Sequence, residues 1–279
     1  MNQETAFVIA HFHPNGKVAN HLKKLIESLS QEYENIVFAS TNISDDDFNY
    51  ISKYVNILKV ENIGYDFWSY KNGLDVVLKN ETIEKVFIIN SSLIFLEPNM
   101  VKKIAEINDG FVGLRALTIS NEHKTHAQSF FVSFEGKSFI RSKDMSEWWG
   151  NLIPISNRQE VIDKYEIGMS QYFLSKGYQI KSVFSPTNKD KLIALSRAIG
   201  NGHINIELNT DESQIILDVN HILKLNPTHY FWDFLLNDFG IIKIELLKNN
   251  STNQNLQPFL SELKIYNPYF YALVEDALI

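Results

Sequence analysis

The stretch TAFVIAHFH, residues 5–13, decides the class of fold to which this chain belongs. Its first residues are apolar without alternation, and Pro14-Asn15-Gly16 follows directly. A strand buried on both faces has this pattern, which is typical of parallel strands lying between helices. The stretch therefore predicts a central parallel strand that ends in a turn.

The same pattern returns three times in the first part of the chain. Residues 35–41, 55–60 and 85–90 are apolar runs that end in polar residues, and helix-like segments separate them. Four such strand–helix units predict an α/β fold with a mainly parallel sheet flanked by helices. Further strands are predicted at 110–117, 127–134, 178–184 and 241–247, further helices at 137–150, 158–176, from 226 and at 260–279, and an irregular insertion or lid at 185–220.

Composition limits the classes of function. The 279 residues carry a net charge of −7, which disfavours a nucleic-acid partner. There is no cysteine, so disulfides and zinc–thiolate sites are excluded. The first residues show no signal peptide, and no stretch reaches the roughly 18 apolar residues that span a bilayer. We expect a soluble, cytoplasmic protein.

Polar clusters follow three of the predicted strands, at 11–15, 62–66 and 90–92. Ligands of open α/β sheets bind beyond the carboxyl ends of the strands, so these clusters predict a binding crevice. The loop ENIGYDFWSYKNGL, residues 61–74, borders it and is unusually rich in aromatic residues for a solvent-facing connection.

Each side chain at the crevice has a structural alternative. His11 and His13 are candidates for contacts to the base and ribose of a nucleotide, or are satisfied histidines at a strand end. Gly64 permits a backbone conformation closed to other residues. Asp66 is a candidate to accept hydrogen bonds from a ribose, to pair with Lys71, or to cap the following helix.

Six segments together resemble the rhamnan synthesis protein F family, glycosyltransferases of bacterial polysaccharide assembly. They are HFHPNGKVANHL (11–22), NIGYDFWSYKNGL (62–74), FIINSS (87–92), HAQSFFVSF (126–134), KYEIGMSQYFLSKGY (164–178) and NPTHYFWDFLL with IKIELLKNN (226–250). The resemblance implies a GT-A-like fold and transfer of a sugar, typically rhamnose, from a nucleotide-diphosphate donor to a growing glycan. It also implies a GT-A-like domain over 1–250, with a nucleotide-sugar half at 1–95, an acceptor half at 96–250 and a helical tail at 251–279.

The segment Asn90-Ser91-Ser92 departs from the family pattern. Metal-dependent transferases of this fold place an Asp-X-Asp-like motif here, and members of this family more often have Asn-Asp-Ser. A serine hydroxyl is a poor ligand for Mg²⁺ or Mn²⁺, which prefer anionic oxygen. Three alternatives remain open. Other groups bind the metal weakly, cationic side chains and helix dipoles neutralise the leaving group, or activity is lost. We favour transfer without a metal.

The resemblance assigns further roles on the acceptor side. Glu166 lies at a predicted helix start, where related inverting enzymes carry the base that deprotonates the acceptor; burial would raise its pKa, and Asp163 is the rival. Without the resemblance, Glu166 would be interpreted as an acidic residue that complements the helix dipole. His229 is a candidate for the diphosphate or a metal, or is structural. The other acceptor-side candidates are His126 and Gln128, while Trp148 and Trp149 either stack on sugars or fill the core.

Two hypotheses follow. The first is an inverting glycosyltransferase whose donor site comprises His11, His13, Gly64, Tyr65, Asp66, Lys71, Asn90, Ser91, Ser92 and His229. It acts on a glycan or lipid-linked glycan of a cell-surface polysaccharide such as O-antigen or capsule, at the inner face of the membrane. The second is a non-catalytic nucleotide-sugar or glycan-binding module, because the acid at Ser91 is missing. The segment 260–279 is in addition a candidate for dimer formation.

Overall fold

A seven-stranded sheet forms the centre of the computed structural model, which describes residues 1–204 and 224–279. Its strands are numbered with those of two smaller sheets: β1 (Asn2–His11), β2 (Tyr33–Ser40), β3 (Asn56–Lys59), β4 (Lys85–Asn90), β5 (Leu93–Phe95), β6 (Gly113–Ala116), β7 (Ile119–Ser120), β8 (His126–Ala127), β9 (Phe131–Glu135), β10 (Gln179–Ser182) and β11 (Ile241–Lys243). The large sheet has the order β10-β6-β9-β4-β1-β2-β3, and only β9 runs antiparallel to its neighbours.

Helices flank this sheet. They are α1 (Asn20–Ser30), α2 (Asp45–Ile51), α3 (Tyr65–Val77), α4 (Pro98–Ala105), α5 (Lys137–Ile140), α6 (Lys143–Gly150), α7 (Arg158–Val161), α8 (Gly168–Ser175), α9 (Asn188–Gly200), α10 (Pro227–Tyr230), α11 (Trp232–Phe239), α12 (Ile244–Lys248), α13 (Gln257–Tyr266) and α14 (Pro268–Leu278), with a π-helical segment at Ile162–Ile167. The predicted α/β class with a mainly parallel sheet flanked by helices is confirmed, and its GT-A-like type stays a prediction. No helix in the described ranges is long and apolar enough to cross a membrane.

Both faces of the sheet are buried, which explains the unbroken apolar runs. On β1, Phe7 and Ile9 point into the core beneath α1 and α4, whereas Val8 and Ala10 point into the core beneath α3. The register places Ile9 between Phe38 and Ile89 of the neighbouring strands. Each such side chain contributes about 1.5–3 kcal/mol by leaving water, so this strand anchors the molecule.

The approach of α3 to β1 is close enough to admit only a glycine at position 73. A Cβ atom there would lie 2.2 Å from Cγ1 of Val8. We expect Gly73→Ala to lower the free energy of unfolding by about 1–3 kcal/mol, because the helix must move or Val8 must leave its rotamer. Denaturant unfolding measures this; Gly150→Ala is the matched control, with no heavy atom within 4 Å of the added Cβ. Equal stability of both variants would contradict the packing described.

Several predicted segments differ from the structure. The strand predicted at 127–134 is divided into β8 and β9, and the helix predicted at 137–150 is divided into α5 and α6. Residues 188–200 of the supposed irregular insertion form α9, because Thr187 and Asp190 cap it reciprocally; residues 205–220 lie outside the described ranges. The strand predicted at 241–247 ends at Lys243 and continues as α12. The closing helix is divided in two at Pro268, whose missing N–H stops α13 and whose neighbour Asn267 caps α14.

The C-terminal helices are joined to the first half of the chain. Leu273 and Val274 of α14 pack in one apolar cluster with Ile94 of β5. Asp276 forms an ion pair with Lys17 at 2.8 Å and accepts a hydrogen bond of 2.6 Å from the backbone N–H of Asn20. The division into a domain at 1–250 and a tail at 251–279 stays a prediction.

Candidate active site

An open cavity of about 1230 Å³ lies at the carboxyl ends of β1, β2 and β4. It collects twelve of the predicted site residues: His11, His13, Gly64, Tyr65, Asp66, Asn90, Ser91, Ser92, His126, Gln128, Glu166 and His229. Four candidates do not line this cavity: Lys71, Asp163, Trp148 and Trp149. Lys71 pairs with Asp75 at 2.7 Å, and Asp163 is exposed and accepts a hydrogen bond from Gln159.

The loop between β3 and α3 reaches the cavity through two left-handed residues. Gly64 has φ +70°, and a Cβ atom at this position would lie 2.9 Å from Cβ of Trp68 and 3.0 Å from Cα of Pro154. Tyr65 follows with φ +53°, a conformation rarely adopted by non-glycine residues, and its hydroxyl donates to the carbonyl of Ser156 at 3.2 Å. Such strain persists only where the surroundings fix it, and here it turns the first residues of α3 into the cavity.

Asp66 belongs to a hydrogen-bonded chain rather than to a helix cap. Its Oδ2 accepts a bond of 2.6 Å from Nδ2 of Asn90. Oδ1 of Asn90 accepts in turn from the backbone N–H of Ser92 at 3.1 Å and from its hydroxyl at 2.5 Å. The capping role is therefore wrong: the N-cap of α3 is Gly64, without a side-chain bond. The pairing of Asp66 with Lys71 is also not formed.

Burial raises the pKa of Asp66 to about 6, with a further contribution from the negative charge of Glu166. The bond from Asn90 and the charge of Lys243 oppose this shift. The charged form of Asp66 therefore lowers the free energy of unfolding. Such perturbed groups are common at ligand-binding sites.

This destabilisation predicts that Asp66→Asn stabilises the empty protein. Because the pKa of Asp66 is raised in the fold, the destabilisation is absent below its ordinary value of 3.8 and fully present above about 6. We expect the variant to gain on the order of 1 kcal/mol at pH 8 and little at pH 4. Urea unfolding at the two pH values measures the gain, and a loss of stability at pH 8 would contradict this assignment.

Glu166 occupies the π-helical segment between α7 and α8. Its Oε2 accepts from the backbone N–H of Ser129 at 2.9 Å and from the Ser129 hydroxyl, and its Oε1 lies 3.6 Å from Nε2 of His126. The expected helix start at Glu166 is wrong, because the helical stretch already begins at Arg158. Single π-helical turns often occur at functional sites, and this one places the carboxylate in the cavity.

The expected rise in the pKa of Glu166 is also wrong. Burial favours the protonated form, but the bonds from His126 and Ser129 outweigh it and lower the pKa below its ordinary value of 4.5. Burial opposes a charge on His126 as well, yet the bond to Glu166 and the carbonyl of Lys124 raise the His126 pKa above 6.5. The pair therefore favours a carboxylate beside an imidazolium at mildly acidic pH.

Several predicted residues are held by the protein itself. His11 is buried, with Nδ1 2.9 Å from the Ser40 hydroxyl and Nε2 3.0 Å from the carbonyl of Lys17, and burial lowers its pKa to about 4. Gln128 accepts from the Thr118 hydroxyl at 2.8 Å and donates to Asn226 at 3.3 Å. His11 and Gln128 therefore line the cavity with side chains that are held by hydrogen bonds within the protein.

The other histidines remain closer to the open space. Nδ1 of His13 accepts weak bonds of 3.3 Å from the backbone of Asn15 and Lys17, and its pKa is lowered by burial and by the charges of Lys17 and Lys248. Nδ1 of His229 lies 3.3 Å from the Thr252 hydroxyl, and burial and Lys243 lower its pKa. Trp148 and Trp149 lie outside the cavity lining and pack with Phe67, Tyr165 and Phe173, so they belong to the core.

Sequence reasoning missed one carboxylate partner and a set of cations. Ser129 holds Glu166 and follows Gln128 directly, but nothing in its surroundings distinguishes it from other serines. Lys243, Lys248 and Arg158 all line the cavity. The first two belong to IKIELLKNN, so the family resemblance marked their segment without giving them a role.

A divalent metal does not fit the residues found at the end of β4. The oxygen of Asn90 is occupied by Ser92, and its amide nitrogen faces Asp66. Among the hydrogen-bonded residues Asp66, Asn90 and Ser92, only Asp66 carries a carboxylate. Hard cations need several oxygen ligands. Across residues 1–204 and 224–279, no group of three His, Asp or Glu side chains is arranged to hold a metal ion.

An α/β sheet with an open cavity at the carboxyl ends of its strands has the arrangement in which ligands of such sheets bind. The family model described as "Rhamnan synthesis protein F" matches residues 36–207, more than half of the chain. The chain belongs to the rhamnan synthesis protein F family.

Curated relatives share the sequence over part of their length. The uncharacterized protein y4gN of Sinorhizobium fredii is 24% identical over 185 residues, covering 64% of this chain and 48% of the relative. The virulence protein VirA of Vibrio anguillarum is 29% identical over 199 residues, covering 69% of this chain and 62% of the relative. The matched region thus spans about half to three fifths of these relatives.

Solved structures with a similar fold include two transferases of sugars. The glycosyltransferase GlyE of Streptococcus pneumoniae is 14% identical with a TM-score of 0.44, covering 100% of this chain and 61% of that one. The mannosyltransferase PcManGT of Pyrobaculum calidifontis is 12% identical with a TM-score of 0.39, covering 98% and 85%.

Proposed function

We propose that this chain transfers a sugar, with rhamnose the first candidate, from a nucleotide-diphosphate donor to a growing polysaccharide or lipid-linked glycan, inverting the anomeric centre. The observation that supports this best is that one cavity is shared. The hydrogen-bonded residues Asp66, Asn90 and Ser92 and the carboxylate of Glu166 all line a space of about 1230 Å³. A space of that volume accommodates a nucleotide sugar together with part of an acceptor.

The donor half of the cavity lies over the ends of β1 and β4. His11 and His13 border the place of the base and ribose, and Asp66, held by Asn90, offers an acceptor oxygen to the ribose hydroxyls. Gly64 and Tyr65 bring the N-terminus of α3 to the same place, where its N–H groups favour a phosphate. His229 borders the diphosphate from the opposite wall.

Glu166 is the base in this proposal. Its carboxylate takes the proton of the acceptor hydroxyl while the acceptor oxygen attacks the anomeric carbon from the side opposite the diphosphate. The bond between that carbon and the diphosphate oxygen breaks, and its electron pair leaves with the nucleoside diphosphate. Ser129 positions the carboxylate through its hydrogen bonds and His126 through its charge at 3.6 Å, and His126 and Gln128 border the acceptor.

The test is transfer by the purified protein. Wild-type protein is incubated with nucleotide sugars, beginning with rhamnose donors, and with glycan acceptors, and products are identified by mass spectrometry and anomeric NMR. A product of inverted configuration with release of nucleoside diphosphate supports the proposal. A retained configuration would remove the role given to Glu166.

A non-catalytic binding module is the second candidate, because Ser91 stands where an acid is usual. It predicts binding of a nucleotide sugar without turnover. Turnover that appears only in Ser91→Asp, and only with Mn²⁺ or Mg²⁺, would favour this reading over an active metal-independent enzyme. Turnover by the wild-type protein in EDTA would exclude it.

Location and assembly belong to the same proposal. A lipid-linked acceptor would bring the protein to the inner face of the membrane, and the segment 260–279 is the proposed dimer contact. Its helices expose Ile265, Tyr266 and Tyr269. The domain at 1–250, with its two halves, is the proposed transferase unit.

A further inference from the structure

Lys243 is fixed beside the segment that lacks the usual acid. It ends β11, which pairs antiparallel with β5 so that Lys243 stands opposite Leu93. The next residue, Ile244, donates its N–H to the carbonyl of Ser92 at 2.9 Å. The backbone of Lys243 is therefore held by the residues that directly follow Asn90 and Ser91.

The side chain of Lys243 reaches the cavity over an aromatic ring. Its Nζ lies 5.1 Å from the centroid of Phe130, and Lys243 and Phe130 both line the cavity. Its charge acts on two groups there, because it lowers the pKa of Asp66 at one wall and of His229 at the other. The ammonium group therefore lies in the same cavity as Asp66 and His229, where its charge acts on both.

Two of the other cavity cations, Lys17 and Arg158, are paired, whereas Lys243 and the exposed Lys248 are not paired within the described ranges. Lys17 pairs with Asp276 at 2.8 Å, and Arg158 lies 3.7 Å from Glu245. Lys243 forms neither a salt bridge nor a hydrogen bond from Nζ in the part of the chain that the structure describes. A half-buried ammonium group directed into a cavity, with only a ring beneath it, is suited to an anionic ligand.

We infer that Lys243 binds the diphosphate of the donor and takes the place of the divalent metal. This inference rests on the proposed function and adds the group that stabilises the leaving diphosphate. When the glycosidic bond of the donor breaks, the diphosphate oxygen gains a negative charge, and the Lys243 ammonium donates a hydrogen bond to it. Such a charge-assisted bond inside a cavity strengthens as the charge develops.

Binding measurements in EDTA test this assignment. Calorimetry determines the affinity of wild-type protein and Lys243→Met for UDP, dTDP, GDP and CDP, and for the nucleoside of whichever diphosphate binds tightest. We expect Lys243→Met to weaken the diphosphate by about tenfold or more and to leave the nucleoside unchanged. Lys243→Arg, which keeps the charge, is expected to retain most of the affinity.

Lys71→Met is the matched control, because it removes a lysine that pairs with Asp75 outside the cavity. Diphosphate affinity of Lys243→Met equal to that of wild type would overturn the inference and leave the proposed function standing. Wild-type binding that disappears in EDTA and returns with Mn²⁺ would also overturn it. Wild-type protein that binds none of the nucleotides, with or without metal, would overturn the proposed function, and this inference with it.

Discussion

Glu166→Gln is expected to reduce the rate of sugar transfer by about 100- to 10,000-fold, the usual contribution of a general base. The glutamine amide keeps the size of the side chain and accepts the hydrogen bonds from Ser129, but it cannot take a proton. Because Glu166 stands on the acceptor side, the affinity for the nucleotide should change little. Steady-state transfer assays and nucleotide titrations measure the two effects separately.

Asp163→Asn is the matched control. It makes the same chemical change one turn earlier in the same helical stretch, on an exposed side chain outside the cavity lining. We expect wild-type rates from this variant. Full activity of Glu166→Gln, or an equal loss in both variants, would contradict the role given to Glu166.

The pH dependence of transfer follows from the pair of Glu166 and His126. The lowered pKa of Glu166 keeps its carboxylate ionised down to below 4.5, so the loss of activity due to its protonation lies at acidic pH. The raised pKa of His126 keeps the imidazole charged to somewhat above 6.5. As pH rises through that value, the charge on His126 is lost, Glu166 becomes more basic, and the rate should increase.

Arg115→Met is expected to destabilise the fold by about 3 kcal/mol or more. Arg115 on β6 is 6% exposed and binds the buried carboxylate of Glu135 on β9 at 2.9 and 3.2 Å. Removing the guanidinium leaves this carboxylate buried, with Lys85 3.9 Å away as the remaining cation. Chemical denaturation, with the midpoint and slope compared with wild type, measures the change.

Lys143→Met is the control for this ion pair. Lys143 also pairs with a glutamate, Glu147 at 3.0 Å, but its side chain is 86% exposed, so its loss should cost less than about 0.5 kcal/mol. The double variant Arg115→Met/Glu135→Leu should recover part of the stability, because the buried carboxylate is then removed together with the guanidinium. A double variant less stable than Arg115→Met would show that the charges themselves stabilise the fold.

The sheet could be predicted from the sequence because strands that are buried on both faces consist of unbroken apolar runs. The runs at 5–13 and 85–90 are apolar at every core position, and the residues that end them are polar. The same rule located His11, Asp66 and Asn90 at one edge. Twelve candidates consequently lie around one cavity, although their roles stay proposals.

The features that were missed depend on contacts between distant segments. Lys243 reaches the cavity because β11 pairs with β5, and a three-residue strand leaves no periodic pattern. The pKa of Glu166 is lowered by His126 and Ser129, which lie far away in the sequence. Lys71 is near Asp66 in sequence, yet it is one helical turn from Asp75 and pairs there.

The central claim is that this cavity binds a nucleotide-diphosphate sugar without requiring a metal. Thermal unfolding of the protein with a panel of nucleoside diphosphates and nucleotide sugars, each with Mn²⁺ and with EDTA, tests it most directly. A ligand at ~100 times its dissociation constant adds roughly 2.7 kcal/mol to the stability of the native state. We predict a raised midpoint with one class of nucleotide, equal in Mn²⁺ and EDTA, and a smaller rise in Lys243→Met with the diphosphate. Unchanged midpoints with every nucleotide under both conditions would contradict the account.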